Sequence, residues 1–321
     1  MLNPLEDFLI QCNSGSINGK YKLFWAMDTV KKDSRLDKKL KKRNLSDKFI
    51  VTIPANKQLR QPSYGAKGVI FVQEKNLEWF ISWGFKVDNY CVLDIHLDKI
   101  PKKTKEISLD IENKFYAHYK TNNIIGYVEG SKFPDSFYVF CAHYDHLGAI
   151  GDKYYFPGAN DNASGTSMVM DLAKHFSKKE NQPKYSIAFM LFSGEEAGLH
   201  GSFYYNDNPY FPLSNIKLVI NLDMVGSGSD GITLVNSTEV PWVYKRFQKI
   251  NIEKDYLKSI HKRGASANSD HFPFTEKDVP AIFIYTKGSE CANYHNIYDK
   301  HENMPFTEYE DLFKLLLDFV R

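Results

Sequence analysis

The sequence has few cysteines, and their spacing indicates neither a disulfide framework nor a metal-binding knuckle. Cys12, Cys91, Cys141 and Cys291 stand far apart along the 321 residues. Cys141 lies inside the apolar run YVFCAH, so we predict that it is a small buried hydrophobic side chain. A disulfide between Cys12 and Cys91 stays open as an alternative, and the cysteines therefore do not assign the protein to a reducing or an oxidising compartment.

Long apolar runs and an excess of one charge are also missing. No run approaches the ~20 apolar residues that a membrane-spanning helix needs. The formal net charge is only +2, which gives no electrostatic reason to expect nucleic acid or an anionic membrane as the principal partner. There are no internal repeats and no low-complexity tracts, and the 20 Tyr and 23 Phe suit a packed globular protein.

A signal peptide is not recognisable at the N-terminus. The segment MLNPLEDFLIQ has neither the basic n-region nor the continuous apolar h-region of such a peptide. We expect an exported protein, periplasmic or extracellular, from which the signal peptide has been removed. The sequence does not indicate the oligomeric state.

The chain is predicted to divide into three segments. Residues 1–45 carry a helical pattern and the basic run KKLKKR, which we interpret as a solvated face because nearby acidic residues dilute its charge. Residues 46–112 contain short β-rich runs, such as KFIVTIP and KGVIFVQ, and are predicted to form a small β-rich module. Residues 113–321 are predicted to form the third and largest domain.

Strand and helix patterns alternate through residues 113–321. Four apolar runs, SFYVFCA, KYSIAFMLFS, KLVINLDMVG and PAIFIYT, are predicted to be buried strands. ASGTSMVMDLAKHF and FTEYEDLFKLLLDFV have apolar residues at helical spacing. The alternation predicts an α/β fold, in which a mostly parallel, mixed central sheet is flanked by helices and the small β-rich module precedes it.

Potential metal ligands follow these strands or precede a helix. They are His143, Asp161, Glu196, Asp223 and His295. A single His or Asp at a strand end is more often a helix cap or a turn former. Four such positions at the carboxyl ends of strands, where ligands of open α/β sheets bind, and a fifth just before a helix favour one site instead. Two histidines and three carboxylates are typical of two zinc ions that share a bridging carboxylate.

Two of the motifs predict how these side chains are arranged. Positions i and i+2 of an extended segment share a face, so Asp145 in HYDH is predicted to lie beside His143 and orient its imidazole. His146 is predicted to point elsewhere and is given no metal role. In GANDNASG only Asp161 is an ionised carboxylate, which makes it the natural bridging ligand.

Five blocks occur in the order AHYDHLG, PGANDNASG, SGEEAGLHGS, NLDMVG and YHNIYD. Together they resemble the co-catalytic di-zinc exopeptidases of metallopeptidase family twenty-eight (clan MH), which includes bacterial leucyl-type aminopeptidases and relatives of glutamate carboxypeptidase. The resemblance covers roughly residues 113–321 and implies a zinc-exopeptidase fold of the phosphorylase/hydrolase-like kind. YGAKGVIFVQ is similar to part of a protease-associated domain, and the 46–112 module is either a complete domain or a reduced lid.

The resemblance also implies a cofactor and residue roles. Two zinc ions would be bound per chain, with Asp161 bridging them. One zinc would be held by Asp161, Glu196 and His295, and the other by Asp161, His143 and Asp223. Glu195 would be the general base, and Asp145 would orient His143.

The function implied is that of a zinc-dependent exopeptidase with peptide substrates. We expect an aminopeptidase that removes N-terminal residues by attack of a water molecule held between the zinc ions, with Glu195 taking its proton. The alternatives are a carboxypeptidase or dipeptidase of the same family, a single-zinc enzyme like the glutaminyl cyclases, and a non-catalytic relative. The preferred side chain at the cleavage site is not predicted, although Phe272, Phe274 and Tyr294 are candidates to line its pocket.

Overall fold

The computed structural model describes residues 2–82 and 85–321, which form two compact units. The first unit contains the residues up to Tyr119 together with Ala149–Tyr154, and the second contains Lys120–Gly148 and Tyr155–Arg321. The larger unit begins at Lys120, and residues 113–119, which were predicted to belong to it, lie in the first unit. Among the described residues, no helix combines the length and the apolar character that crossing a membrane requires.

One mixed sheet organises the first unit. Its strands are β1 (Phe8–Ile10), β2 (Ile17–Ala26), β3 (Lys48–Thr52), β4 (Gly68–Gln73), β5 (Cys91–His96) and β6 (Glu106–Ile111). Their order is β1-β5-β4-β3-β2-β6, with β2 to β5 parallel and both edge strands antiparallel to their neighbours. The central strands β3, β4 and β5 are buried along most of their length, which suits their Val- and Ile-rich sequences.

The prediction of a helical segment over residues 1–45 is wrong. Helix α1 covers only Arg35–Lys41, whereas β1 and the ten-residue β2 belong to the sheet. In β2 the more buried positions alternate with exposed ones, as in Ile17, Gly19 and Tyr21, and this period of two is that of a strand. The β-rich module therefore begins near the N-terminus and not at residue 46.

The structure also answers the question of a disulfide between Cys12 and Cys91. The Cys12 thiol donates a hydrogen bond to the main-chain carbonyl of Phe80, with the sulfur 3.4 Å from the oxygen. Cys91 is a buried thiol, and burial raises its pKa to about 12. The two residues therefore act as separate thiols.

A seven-stranded sheet organises the second unit. Its strands are β7 (Ile124–Val128), β8 (Phe133–His143), β11 (Tyr185–Phe192), β12 (Ile216–Leu222), β13 (Ile232–Val235), β14 (Ile260–Lys262) and β15 (Ala281–Thr286). Strands β9 (Ala149–Ile150) and β10 (Tyr154–Tyr155) belong to neither large sheet and pair with each other as a ribbon. The order is β14-β13-β15-β12-β8-β11-β7. The central four strands, β15, β12, β8 and β11, are parallel, and β7 and β13 run antiparallel to their neighbours β11 and β15.

Helices cover both faces of this sheet. They are α2 (Gly165–Phe176), α3 (His200–Asp207), α4 (Pro241–Lys254), α5 (Phe272–Thr275) and α6 (Tyr309–Val320). Alternate residues of β8 point to opposite faces, so Phe140 packs with residues of α2, α4 and α6, whereas Val139 packs with residues of α3 and α5. The predicted α/β fold, with a mostly parallel mixed sheet between helices, is confirmed.

Candidate metal centre

The predicted ligands converge at the carboxyl edge of the parallel strands. His143 is the last residue of β8, and Asp223 follows β12 directly. Glu196 and His295 lie in the loops after β11 and β15, and Asp161 lies in a turn, Ala159–Ser164, just before α2. Because these strands are parallel, their carboxyl ends meet at one edge of the sheet, as the sequence pattern requires.

Asp161 faces two groups of ligands with its two oxygens. Its Oδ1 lies 3.3 Å from Nε2 of His143, which in turn lies 3.4 Å from Oδ1 of Asp223. Its Oδ2 lies 3.1 Å from Nε2 of His295, which lies 3.3 Å from Oε2 of Glu196. The ring of Tyr294 stacks on the His295 imidazole, with the ring centres 3.8 Å apart. The structure thus gives Asp161 the position of a bridge between two clusters.

The spacing and chemistry of these donors fit zinc. Ligands at 2.0–2.2 Å around a tetrahedral zinc ion are about 3.3 Å apart, close to the separations within each cluster. Imidazole nitrogen and carboxylate oxygen are donors that zinc accepts readily. Oδ1 of Asp223 is buried and has no hydrogen-bond partner among the described residues. A bound metal ion would satisfy this oxygen. The residues present therefore fit a pair of zinc ions.

Buried side chains fix the Asp161 turn. The carboxylate of Asp299 accepts hydrogen bonds from the main-chain N–H groups of Asn160 (2.9 Å) and Asp161 (3.0 Å). Asn162 accepts from the N–H of Gly165 at 2.9 Å and so caps α2. Asp299 is a residue that sequence reasoning missed, although it closes the YHNIYD block that supplied His295.

Asp145 orients the site in a different way from the one predicted. Its carboxylate is 3.9 Å from Nδ1 of His143, beyond hydrogen-bond distance, and the main-chain carbonyl of Asp145 accepts from that nitrogen at 3.0 Å instead. With Nδ1 protonated, Nε2 of His143 carries the lone pair that a metal needs. The Asp145 carboxylate accepts from the main-chain N–H groups of Glu195 (3.2 Å) and Glu196 (3.3 Å). The side chain therefore positions the turn that carries both glutamates.

The Glu195 carboxylate lies beside His143 and Asp223, within the same cluster of potential donors. Burial is the main cause that raises its pKa well above the ordinary value, and the charges of Asp270 and Asp223 act in the same direction. Bound cations would act in the opposite direction. A carboxylate in such surroundings can accept a proton and release it again, as a general base requires.

The cluster has more buried carboxylates than imidazoles, so added positive charge would stabilise it. Burial alone would lower the pKa of His143, but the charges of Glu195 and Asp223 outweigh it and raise the pKa well above its usual value. Burial would raise the pKa of Asp161, whereas its contacts with His143 and His295 lower it. Because several carboxylates share a space with two imidazoles, the site is expected to take up protons or metal ions.

His146 contradicts its prediction, because it does not point away from the site. Its Nδ1 lies 2.8 Å from Oε1 of Glu196, and its ring packs against that of His295. With Asp161 and Glu196 it forms a group of donors that could hold a metal ion. Its Nε2 is buried and has no hydrogen-bond partner among the described residues.

Ser269 and Asp270 also lie near the site, although no role is predicted for them from the sequence. The hydroxyl of Ser269 donates to Oδ2 of Asp223 at 2.8 Å and accepts from the side-chain amide of Asn221 at 2.7 Å. Burial raises the pKa of Asp270 to about 7, and Ser202 donates to this carboxyl at 2.5 Å. His271 is buried, which lowers its pKa to about 4, and it belongs to neither group of potential metal ligands.

A cavity of 430 Å³ opens beside the cluster. His143, Asp161, Glu195 and Asp223 line it, so a bound molecule can reach the potential metal ligands and the potential base. Of the three aromatic residues predicted as candidates for the pocket, Tyr294 is among its lining residues. A larger cavity of 750 Å³ lies within the first unit, where its buried carboxylate, Asp94, already pairs with Arg60 at 2.9 Å.

Comparison with known proteins gives consistent matches. The model of peptidase family M28 matches residues 123–320. Aminopeptidase YwaD of Bacillus subtilis (strain 168) is 32% identical over 192 residues, which are 57% of this chain and 39% of that protein. A probable zinc metalloprotease of Pyrenophora tritici-repentis is 37% identical over 110 residues, which are 34% of this chain and 22% of that protein. The chain thus spans well under two thirds of the length of these curated relatives.

A solved structure of BSAP, a zinc aminopeptidase from Bacillus subtilis, is similar in fold. Its TM-score is 0.73 at 23% identity, over 98% of this chain and 78% of that one. The match to the family model covers more than half of the 321 residues and includes the five potential ligands and Glu195. The chain belongs to peptidase family M28.

Proposed function

We propose that this protein is a zinc-dependent aminopeptidase that hydrolyses N-terminal residues from peptides and binds two zinc ions per chain. One observation carries the proposal: the two oxygens of Asp161 face separate ligand groups, and Glu195 lies beside one of them. The names of the curated relatives, a zinc metalloprotease and an aminopeptidase, support the choice of metal and of reaction.

The ligand groups assign the metal sites. His143 and Asp223 would hold one zinc ion, Glu196 and His295 would hold the other, and Asp161 would bridge them. When bound, the zinc ions supply a water molecule of lowered pKa and positive charge that stabilises the oxyanion of the transition state.

Glu195 moves the proton. Its carboxylate takes a proton from the attacking water as the oxygen bonds to the scissile carbonyl carbon, and it returns that proton to the nitrogen when the C–N bond breaks. Asp145 contributes by fixing the main chain of Glu195 through the 3.2 Å hydrogen bond, so the base stays within reach of the water. General acid–base catalysis of this kind typically contributes ~10²–10⁴-fold to the rate.

The specificity for the amino end follows from the charge of the site. The carboxylates Asp161, Glu196 and Asp223 can attract a protonated α-amino group next to the scissile bond, and burial makes that attraction stronger than it is in water.

The test is Glu195→Gln, assayed with leucine p-nitroanilide and with bound zinc counted by atomic absorption. We expect kcat to fall by about 10²–10⁴-fold while zinc content stays near two per chain. Asp161→Asn should lose both zinc and activity, and Glu180→Gln, at an exposed position, is the matched control that should change neither. A Glu195→Gln variant that keeps most of its activity would show that another group is the base.

Two further measurements separate the alternatives. One zinc per active chain would favour a reaction like that of the glutaminyl cyclases, whereas two would favour hydrolysis. Faster cleavage of amino-blocked peptides than of carboxy-blocked peptides would indicate a carboxypeptidase. Activity that survives complete removal of metal by a chelator would rule out the metallopeptidase proposal.

A further inference from the structure

The 430 Å³ cavity is lined by side chains of both charges. The potential metal ligands His143, Asp161 and Asp223 line it, and Arg263 and Lys287 also line it and supply positive charge. The carboxylates are matched by the metal ions that the site would hold. Arg263 and Lys287 take part in neither metal binding nor proton transfer, so their positive charge can serve to bind a substrate.

Main-chain hydrogen bonds hold the backbone of both Arg263 and Lys287 in place. Arg263 follows β14, and its N–H donates to the carbonyl of Leu234 at 2.9 Å. Lys287 follows β15, and its N–H donates to the carbonyl of Gly231 at 2.8 Å. The carbonyl of Lys287 also accepts from the N–H of Asp230 at 2.8 Å. The backbone of each residue is therefore held at the carboxyl end of a strand.

Neither cation forms an ion pair with a carboxylate among the described residues. The nearby acidic side chains are engaged elsewhere. Asp230 pairs with Lys258 at 2.7 Å, and Glu290 accepts from the hydroxyl of Ser229 at 2.6 Å. The positive charge of Arg263 and Lys287 therefore remains available to a bound molecule.

Part of the surface shared with these cations is apolar. Met224, Phe283, Tyr285 and Cys291 are among the residues that line the cavity. Arg263 and Lys287 are exposed, so an ionic contact with them gains strength to the extent that a bound ligand excludes water from them. Arginine also offers a planar pair of donors that matches a carboxylate.

We infer that Arg263 and Lys287 make the site selective for substrates that carry a carboxylate away from the scissile bond. The inference rests on the proposed function, since it concerns the substrate of the same site. Such a carboxylate has two possible sources, the side chain of an N-terminal Glu or Asp and the α-carboxylate of a short peptide. Both would be held by the same two cations.

The experiment compares pairs of substrates that differ in this carboxylate alone. Glutamyl and glutaminyl p-nitroanilides test the side chain, and leucylglycine and leucylglycinamide test the peptide end. We expect kcat/KM to favour the charged member of at least one pair by about tenfold or more, as for a hydrogen bond to a charged group. The pair that shows the preference identifies the source of the carboxylate.

Variants test whether these two residues cause the preference. Arg263→Gln with Lys287→Gln should abolish the preference for the charged substrate while hydrolysis of leucine p-nitroanilide persists. Lys262→Gln is the matched control, because Lys262 is exposed like the two cations but is not among the residues that line the cavity, and its ammonium lies over the Tyr244 ring. A wild-type ratio near one for both pairs, or a ratio unchanged in the double variant, would overturn the inference.

A binding measurement keeps the inference separate from the proposed function. Glutarate and its monoamide share one carboxylate for the metal end and differ only at the other end. Calorimetric titration of the zinc-loaded protein should show about tenfold tighter binding of glutarate in the wild type but not in the double variant. If no substrate is hydrolysed and this difference is seen, the proposed function fails and the inference stands. If hydrolysis is seen without any carboxylate preference, the inference alone fails.

Discussion

Replacing Asp145 with asparagine tests how the two glutamates of the site are held in place. The Asp145 carboxylate uses one oxygen for the N–H of Glu195 at 3.2 Å and the other for the N–H of Glu196 at 3.3 Å. Asparagine keeps the shape of the side chain but has only one oxygen. Its amide group would face one of the two N–H groups, donor against donor, and that N–H group would lose its acceptor.

The size of the effect can be worked out from these contacts. A hydrogen bond to a charged group contributes about 1.5–3 kcal/mol, and the lengths of these two bonds favour the lower end of that range. The loss of one such bond lets the turn shift, and a misplacement of ~1 Å at a reacting group can reduce the rate by ~10²-fold. We therefore expect kcat of Asp145→Asn to fall by about 10- to 100-fold.

The assay is steady-state hydrolysis of leucine p-nitroanilide, with bound zinc counted on the same sample. Zinc content should stay near that of the wild type, because Asp145→Asn leaves all five potential ligands in the chain. Asp135→Asn, at an exposed position of β8, is the matched control and should leave kcat unchanged. An Asp145→Asn variant with wild-type kcat would refute the positioning role of this carboxylate.

Three further predictions concern metal binding and stability. The affinity of the metal-free protein for zinc should rise with pH, by up to about tenfold per pH unit for each proton released on binding. The reason is that the pKa of His143 is raised, so its imidazole must lose a proton before it can coordinate zinc. Competition with a chelator at two pH values checks this. His146→Gln should weaken binding of one zinc ion by about 10- to 100-fold and leave the other near wild type, because His146 contacts Glu196 and His295, which belong to the same ligand group. Zinc titration with a metal indicator separates the two sites. Phe319→Ala should lower the free energy of unfolding by about 3–5 kcal/mol in urea titration, because the ring is buried and stacks on Phe247.

The ligands could be predicted from the sequence because their positions depend on strand periodicity and topology. His143 and Asp223 end parallel strands, so the sheet itself brings them to one edge. The roles of Asp145 and His146 could not be predicted in the same way. The alternation of side chains holds only within a strand, and β8 ends at His143, so Asp145 and His146 lie where that rule no longer applies.

The N-terminal region shows a second limit of sequence patterns. Strand β2 pairs with β3 and β6, which come from distant parts of the chain, and such long-range pairing leaves a weak local signal. The helical pattern around Lys38 belongs to helix α1, which is only seven residues long, so it does not represent the rest of residues 1–45. Export from the cytoplasm stays a prediction, as does the assignment of roles to the site residues.

The central claim is that Asp161 bridges two zinc ions. The most direct measurement is anomalous X-ray diffraction at the zinc absorption edge from crystals of the zinc-loaded protein. We predict two anomalous peaks, one between Asp161, His143 and Asp223 and the other between Asp161, Glu196 and His295. A single peak in a fully active protein, or peaks that do not contact Asp161, would contradict the account.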